Sequence, residues 1–250
     1  MPCFQLDKLL WFPPVDAAED CGLLAVGGDL SPQRLLFAYS LGIFPWYNEG
    51  EPILWWSPDP RCILSPGEIH ISRSLRKTLR RNIYRVSFNQ AFDQVIQNCR
   101  DDRCREGGEG SWISPEMQAA YRNLHRLGFA HSVECWQGDM LVGGLYGLCL
   151  GRCFFGESMF SHRSDASKVA LVGLACRLEA ADFELIDCQQ TTSHLLSLGA
   201  FEISRDEFLS RLKKGEVRPE LKFSSDFPGE PVETLLLSAK LIEESQLQTR

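Results

Sequence analysis

Apolar positions recur every three or four residues in some stretches of this chain and every second residue in others, and the two periods interleave. Ser31 is placed to cap a helix with Pro32 at its first position, Leu35, Leu36 and Tyr39 on one face, and Gly42 at its end. Ile69 to Arg81 reads as a second helix, with Ser72 as a cap and Arg73, Arg76, Lys77 and Arg80 projecting from one side. Tyr84 to Phe88 alternates as a short strand, after which Asn89 is expected to cap a helix through Phe92, Val95 and Ile96. Ser114-Pro115-Glu116 opens an amphipathic helix ending near Gly128.

His131 to Gln137, Met140 to Leu150 and Arg152 to Phe160 then read as three strands of a meander, with Gly138-Asp139 as the first turn. A long helix is predicted from Asp165 to Ala181, with Val169, Val172 and Ala175 on its apolar face. A buried strand from Glu184 to Gln189, a short helix from His194 to Leu198, a strand from Phe201 to Ser204 and a helix from Arg205 to Lys214 follow. Beyond Gly215 no firm period holds, and the helix-like stretch from Glu233 to Gln248 is expected to attach loosely. The pattern predicts a mixed α/β (α+β) fold. It divides into a loop-rich N-terminal domain over 1–65, a larger α/β domain over 66–215 and an extension over 216–250.

The 250 residues suffice for a sizeable core. No apolar run approaches the length of a bilayer, and the first residues lack a basic region followed by an apolar one, so a cytoplasmic protein is expected. The ten cysteines are scattered, with no CxxC pair and no histidine at ligand spacing; reduced, mostly buried thiols are expected, and no structural metal. A net charge of −7 argues against a general nucleic-acid binder. Between His70 and Arg105, however, nine basic residues face three acids. A solvated helix face is the usual meaning of such a run, but this one adjoins aromatic loops, which favours RNA contact.

Those loops are the runs from Gly27 to Pro32, Gly42 to Trp46 and Trp55 to Arg61, which hold three of the six tryptophans. Rigid aromatic loops of this kind suit a flat or extended ligand. The chain has no P-loop, no dinucleotide fingerprint, no GxSxG elbow and no HExxH helix. Asp187-Cys188-Gln189 ends an apolar strand, and alternation puts Asp187 and Gln189 on one face with Cys188 opposite. A carboxylate and an amide so spaced can orient an amine, or can simply cap nearby backbone groups. Glu157 stands among apolar residues on an adjacent strand and needs a partner there: an internal cation such as Arg152, or the positive charge of a substrate. His125, His131, His162 and His194 form no ligand set, and only His194 lies near the Asp187 segment.

The order GGDLSP, GIFPW, WWSPDPR, then GESMFS (Gly156 to Ser161) and LIDCQ (Leu185 to Gln189), resembles the bacterial leucyl/phenylalanyl-tRNA–protein transferase family from about Cys21 to Arg211. The resemblance implies an enzyme that takes Leu or Phe, and also Met, from aminoacyl-tRNA. It would join the residue to the α-amine of proteins beginning with Arg or Lys, marking them for N-degron proteolysis. It implies a GNAT-like acyltransferase domain in which donor and acceptor meet at a splayed gap in the sheet. Asp187 and Gln189 would then be catalytic, and Glu157 would meet the acceptor. Leu145, Phe154, Leu174 and Ile186 would line an apolar slot for the aminoacyl side chain. Trp46 and Trp112 would stack on the 3′-terminal adenosine of the tRNA, with Ser161, Ser167 and Lys168 near its phosphate. Arg73, Arg76, Lys77, Arg80 and Arg81 would lie along the tRNA backbone.

Aminolysis of an ester needs no cofactor, metal or covalent enzyme intermediate, and a free α-amine with a pKa of roughly 8 is partly neutral near pH 7. A monomer without membrane partners is expected. Three other readings compete. An acetyl-CoA-dependent N-acetyltransferase usually has a glycine-rich pyrophosphate loop, and Ser161 to Ala166 has no glycine. A non-enzymatic RNA-binding module would leave Asp187, Gln189 and Glu157 unexplained. A peptidoglycan-type aminoacyl transferase would share the donor but not the Arg/Lys acceptor.

Overall fold

The computed structural model describes residues 4–101, 113–218 and 227. The first strands are β1 (Phe4–Leu6), β2 (Leu23–Gly27), β3 (Phe44–Pro45) and β4 (Leu54–Trp56), with helix α1 (Pro32–Ser40) between β2 and β3. They form a four-stranded sheet in the order β1-β2-β4-β3. After β5 (Arg61–Leu64) come α2 (Arg73–Arg80), β6 (Arg85–Phe88), α3 (Phe92–Asp101) and α4 (Pro115–Arg126). The chain continues through β7 (Ala130–Gln137), β8 (Met140–Leu150), β9 (Cys153–Ser161), α5 (Ala166–Ala180), β10 (Leu185–Gln189), α6 (Ser193–Leu196), β11 (Phe201–Ile203) and α7 (Arg205–Lys214). The second sheet has seven strands in the order β11-β5-β10-β9-β8-β7-β6. The fold is therefore mixed α/β, as the periodicity predicts.

Local chemistry explains most boundaries. Ser31, Ser72 and Ser114 accept the N–H of Arg34, Leu75 and Met117 and so start α1, α2 and α4. Asn89 departs from its expected role. It sits at a positive φ of 57°, and its side chain accepts the N–H of Ser132 rather than capping α3. The N–H of Ala91, just ahead of α3, goes instead to the buried carboxylate of Glu134. Helix α5 was expected to be amphipathic, yet it is buried nearly all round. It packs on β7 and β8, with α2 and the turn at Pro66–Glu68 against its other side.

The N-terminal stretch that reads as loops holds a sheet of strands only two to five residues long, too short for alternation to register. Strand β5, which lies within residues 1–65, pairs in the interior of the larger sheet, antiparallel to both β10 and β11. The stretch from Glu233 to Gln248 lies outside the described residues. Among the described residues no helix is long and apolar enough to cross a membrane.

Two apolar clusters cover the two faces of the larger sheet. Consecutive residues divide between them: Phe155 and Leu185 lie on the face with Tyr39 and Tyr121, and Phe154 and Ile186 on the face with Leu174 of α5. Strands β9 and β10 run parallel and pair at Leu185↔Cys153, Ile186↔Phe154 and Asp187↔Phe155. There they part. The register of β10 against β5 breaks between Asp187 and Gln189, Gln189 turns to a positive φ of 56°, and β9 runs on to Ser161 without it.

Candidate active site

The gap where β9 and β10 diverge gathers the polar groups. Asp187, at the last position where β10 pairs with β9, is completely buried. Its Oδ1 accepts Arg61 Nε at 2.8 Å and its Oδ2 accepts Arg61 Nη2 at 2.7 Å, a bidentate buried pair. Arg61 also donates from Nη1 to the carbonyl of Gly42 at 3.1 Å. Its guanidinium lies 4.8 Å from the ring centre of Phe44 and 4.5 Å from that of Phe208. Every face of the cation is thus engaged.

Asp187 Oδ1 also accepts the backbone N–H of Gln189 at 2.9 Å, which pins the left-handed turn at the strand end. The expected shared face of Asp187 and Gln189 is altered by that break in register. Asp187 touches the backbone of Gln189, and the carboxamide points elsewhere: Gln189 Nε2 donates to Glu157 Oε1 at 3.5 Å.

Glu157 is the extra residue of a bulge, because Gly147 pairs with Gly156 and Tyr146 with Ser158. The bulge aims its carboxylate at α1 and α4. Tyr39 donates to Oε1 at 2.6 Å and Tyr121 to Oε2 at 2.8 Å, and the two hydroxyl oxygens are 2.5 Å apart. Burial pushes the Glu157 carboxyl up to about 7; the tyrosine hydroxyls pull it down, the charge of Asp187 pushes it up and Arg61 pulls it down. Burial and the charge of Glu157 raise both phenols well above their ordinary range, so Tyr39 and Tyr121 remain O–H donors. Of the two partners expected for Glu157, Arg152 is ruled out. It pairs with Glu216 at 3.2 Å and the Lys214 carbonyl at 2.9 Å, where β9 begins.

Leu145, Phe154, Leu174 and Ile186 are all buried and lie in one cluster, on the sheet face opposite Asp187. Trp46 is exposed, with its ring centre 5.7 Å from that of Trp56, whose Nε1 donates to the Trp46 carbonyl. Trp55 is core, its Nε1 donating to the Gly27 carbonyl. Trp112 lies outside the described residues. On α2, Leu75 is buried while Arg73, Lys77 and Arg80 are exposed, as is Arg81 at its end; Arg76 is half-buried. Among the described residues none of these five cations is in an ion pair.

At the start of α5, Ser161 Oγ accepts the N–H of Ser167 at 3.3 Å, and Lys168 pairs with Asp165. Burial lowers the proton affinity of His194, which sits on α6. Among the described residues no three His, Cys, Asp or Glu side chains are grouped to hold a metal ion, and Cys62, Cys99, Cys135, Cys149 and Cys153 are buried.

Sequence reading missed Arg61, Tyr39 and Tyr121 as parts of this site. A signal existed for the first: an aspartate inside an apolar strand requires a buried cation, and Arg61 is followed by the apolar run Cys62-Ile63-Leu64.

The family model described as leucyl/phenylalanyl-tRNA protein transferase matches residues 63–213, and its N-terminal domain model matches residues 28–59. The leucyl/phenylalanyl-tRNA–protein transferase of Syntrophobacter fumaroxidans is 56% identical over 230 residues, covering 92% of this chain and 97% of that one. Its counterpart in Azoarcus sp. (strain BH72) is 59% identical over 217 residues, covering 85% of this chain and 92% of the relative. The two matched stretches include Tyr39, Tyr121, Glu157, Asp187 and Gln189, and Arg61 falls between them. The chain belongs to the leucyl/phenylalanyl-tRNA protein transferase family, a family of aminoacyltransferases.

Proposed function

We propose that this chain moves Leu, Phe or Met from aminoacyl-tRNA to the α-amine of proteins that begin with Arg or Lys, as a cytoplasmic monomer, and so marks them for N-degron proteolysis. The observation that carries the reading is the joint arrangement of Asp187, Gln189 and Glu157 where β9 and β10 separate. The acceptor's amine would enter that gap, as in a GNAT-like domain, and meet the carboxylate of Glu157 and the carboxamide of Gln189. Asp187 would keep Gln189 in position through its backbone N–H. An activated ester needs little more than an aligned nucleophile and donors for its developing oxyanion.

Leu145, Phe154, Leu174 and Ile186 would receive the unbranched-at-Cβ side chain of the donor. A slot of this kind discriminates by shape, typically by about 1–3 kcal/mol per methylene. Trp46 and Trp112 would hold the terminal adenosine, each stacked base contributing roughly 1–3 kcal/mol. The cations of α2, in no ion pair among the described residues, would with Arg81 neutralise phosphates.

Transfer of labelled Leu from charged tRNA to a peptide beginning with Arg, beside one beginning with Ala, tests the reading. Label should enter the first peptide far faster than the second. Equal labelling would remove the acceptor preference, and no labelling of either would remove the transfer reaction.

A further inference from the structure

We infer that Glu157 takes the proton from the acceptor's α-ammonium, while Asp187 is a positioning residue that never exchanges one; this deepens the transfer reaction proposed above. The geometry separates the two carboxylates. Asp187 has no exposed surface, and its oxygens already hold two guanidinium N–H groups and the N–H of Gln189. A proton arriving there would leave Arg61 buried without its counter-charge. Gln189 ends the strand with a carboxamide, a poor base. Glu157 is only half-buried, and each of its oxygens carries a single tyrosine hydroxyl, with the Gln189 amide at a long 3.5 Å. A carboxylate has about four acceptor positions, so one remains for an ammonium N–H.

The groups facing Glu157 set it apart as the exchangeable acid. Tyr39 on α1 and Tyr121 on α4 donate to it, Arg61 on β5 supplies a positive field, and Asp187 on β10 a negative one. Tyr146 on β8 packs edge-on against Tyr121. Burial alone would keep the acid protonated, and the two hydroxyls offset that, which leaves its affinity for a proton near neutral pH.

The step balances. The ammonium gives one proton to Glu157 and becomes a neutral amine, whose lone pair forms the new C–N bond to the ester carbonyl. The tetrahedral adduct then breaks its bond to the ribose oxygen. The extra proton on nitrogen goes to that oxygen, which leaves as a hydroxyl. Glu157 returns its own proton to solvent.

The test uses the full chain, Leu-tRNA and a saturating peptide beginning with Arg, in single turnover. Glu157→Gln keeps the shape of the side chain, with one acceptor oxygen where the carboxylate has two, and should slow transfer by about 100-fold or more, within the range of general-base catalysis. Binding of the aminoacyl-tRNA should stay unchanged. A peptide whose N-terminal α-amine is replaced by an aminooxy group, uncharged near neutral pH, needs no base to free its lone pair, so the same variant should transfer to it near the wild-type rate. Tyr121→Phe removes a donor that stabilises the carboxylate, and should move the acid limb of the rate profile to higher pH. Wild-type rates for E157Q at saturating acceptor, or equal losses with both nucleophiles, would overturn the inference while leaving the transfer reaction standing. A wild type that transfers nothing would strike the transfer reaction first.

Discussion

Glu157 stands among groups that pull its proton in opposite directions, and the balance can be read in stability as well as in rate. Its ordinary value of 4.5 is raised to about 7 in the fold. Between those values the folded chain holds a proton that the unfolded chain has released. The stabilisation is complete below pH 4.5 and is lost as pH rises through about 7. The full swing is at most about 3 kcal/mol. Glu157→Gln, which cannot ionise, should therefore match the wild type in acid and exceed it in urea midpoint above pH 7; a constant offset across pH would contradict this. The sequence announces Glu157, because a carboxylate between apolar residues must be satisfied. It does not announce Tyr39 and Tyr121, since a tyrosine at a helical repeat looks the same whether its hydroxyl is idle or occupied. Their meeting depends on α1 and α4 converging from distant parts of the chain.

At the scale of elements, β5 and β10 are joined by their ladder and by the Arg61–Asp187 pair. Asp187→Asn leaves a buried guanidinium uncompensated, and should cost about 3–5 kcal/mol in urea unfolding. Replacing both partners with apolar residues, R61M/D187L, should restore most of that stability, since such exchanges are often neutral or better. Transfer should stay lost, because the N–H of Gln189 would have no acceptor and its turn would relax. Recovery of stability and transfer together would reduce the pair to scaffolding. Helices α1, α2 and α4 were legible because a serine cap and a repeat mark each one. Strand β5 was not: its four residues are all buried, so no alternation appears, and an arginine opens it. The bulges at Glu157 and Gln189 were equally hidden, because register is a property of two strands and a sequence presents one at a time.

For the molecule as a whole, charge is unevenly distributed: the chain carries −7, yet α2 displays cations that no acid neutralises among the described residues. Exchanging Lys77 and Arg80 for glutamate should weaken aminoacyl-tRNA binding. It should also flatten the dependence of log K on log salt by about one unit for each phosphate contact removed. An unchanged slope would move the RNA elsewhere on the surface. The mixed architecture and the chemistry-bearing motifs could be read from residues alone, but how the first sheet meets the second could not, since it depends on contacts between remote segments. Arg61 is held from the N-terminal side by the Gly42 carbonyl and the Phe44 ring, and Glu157 by Tyr39. The opening third of the chain is therefore no detachable accessory. Grafting it between two relatives would carry over groups that hold the candidate site, so an exchanged portion must match its new neighbour at those contacts.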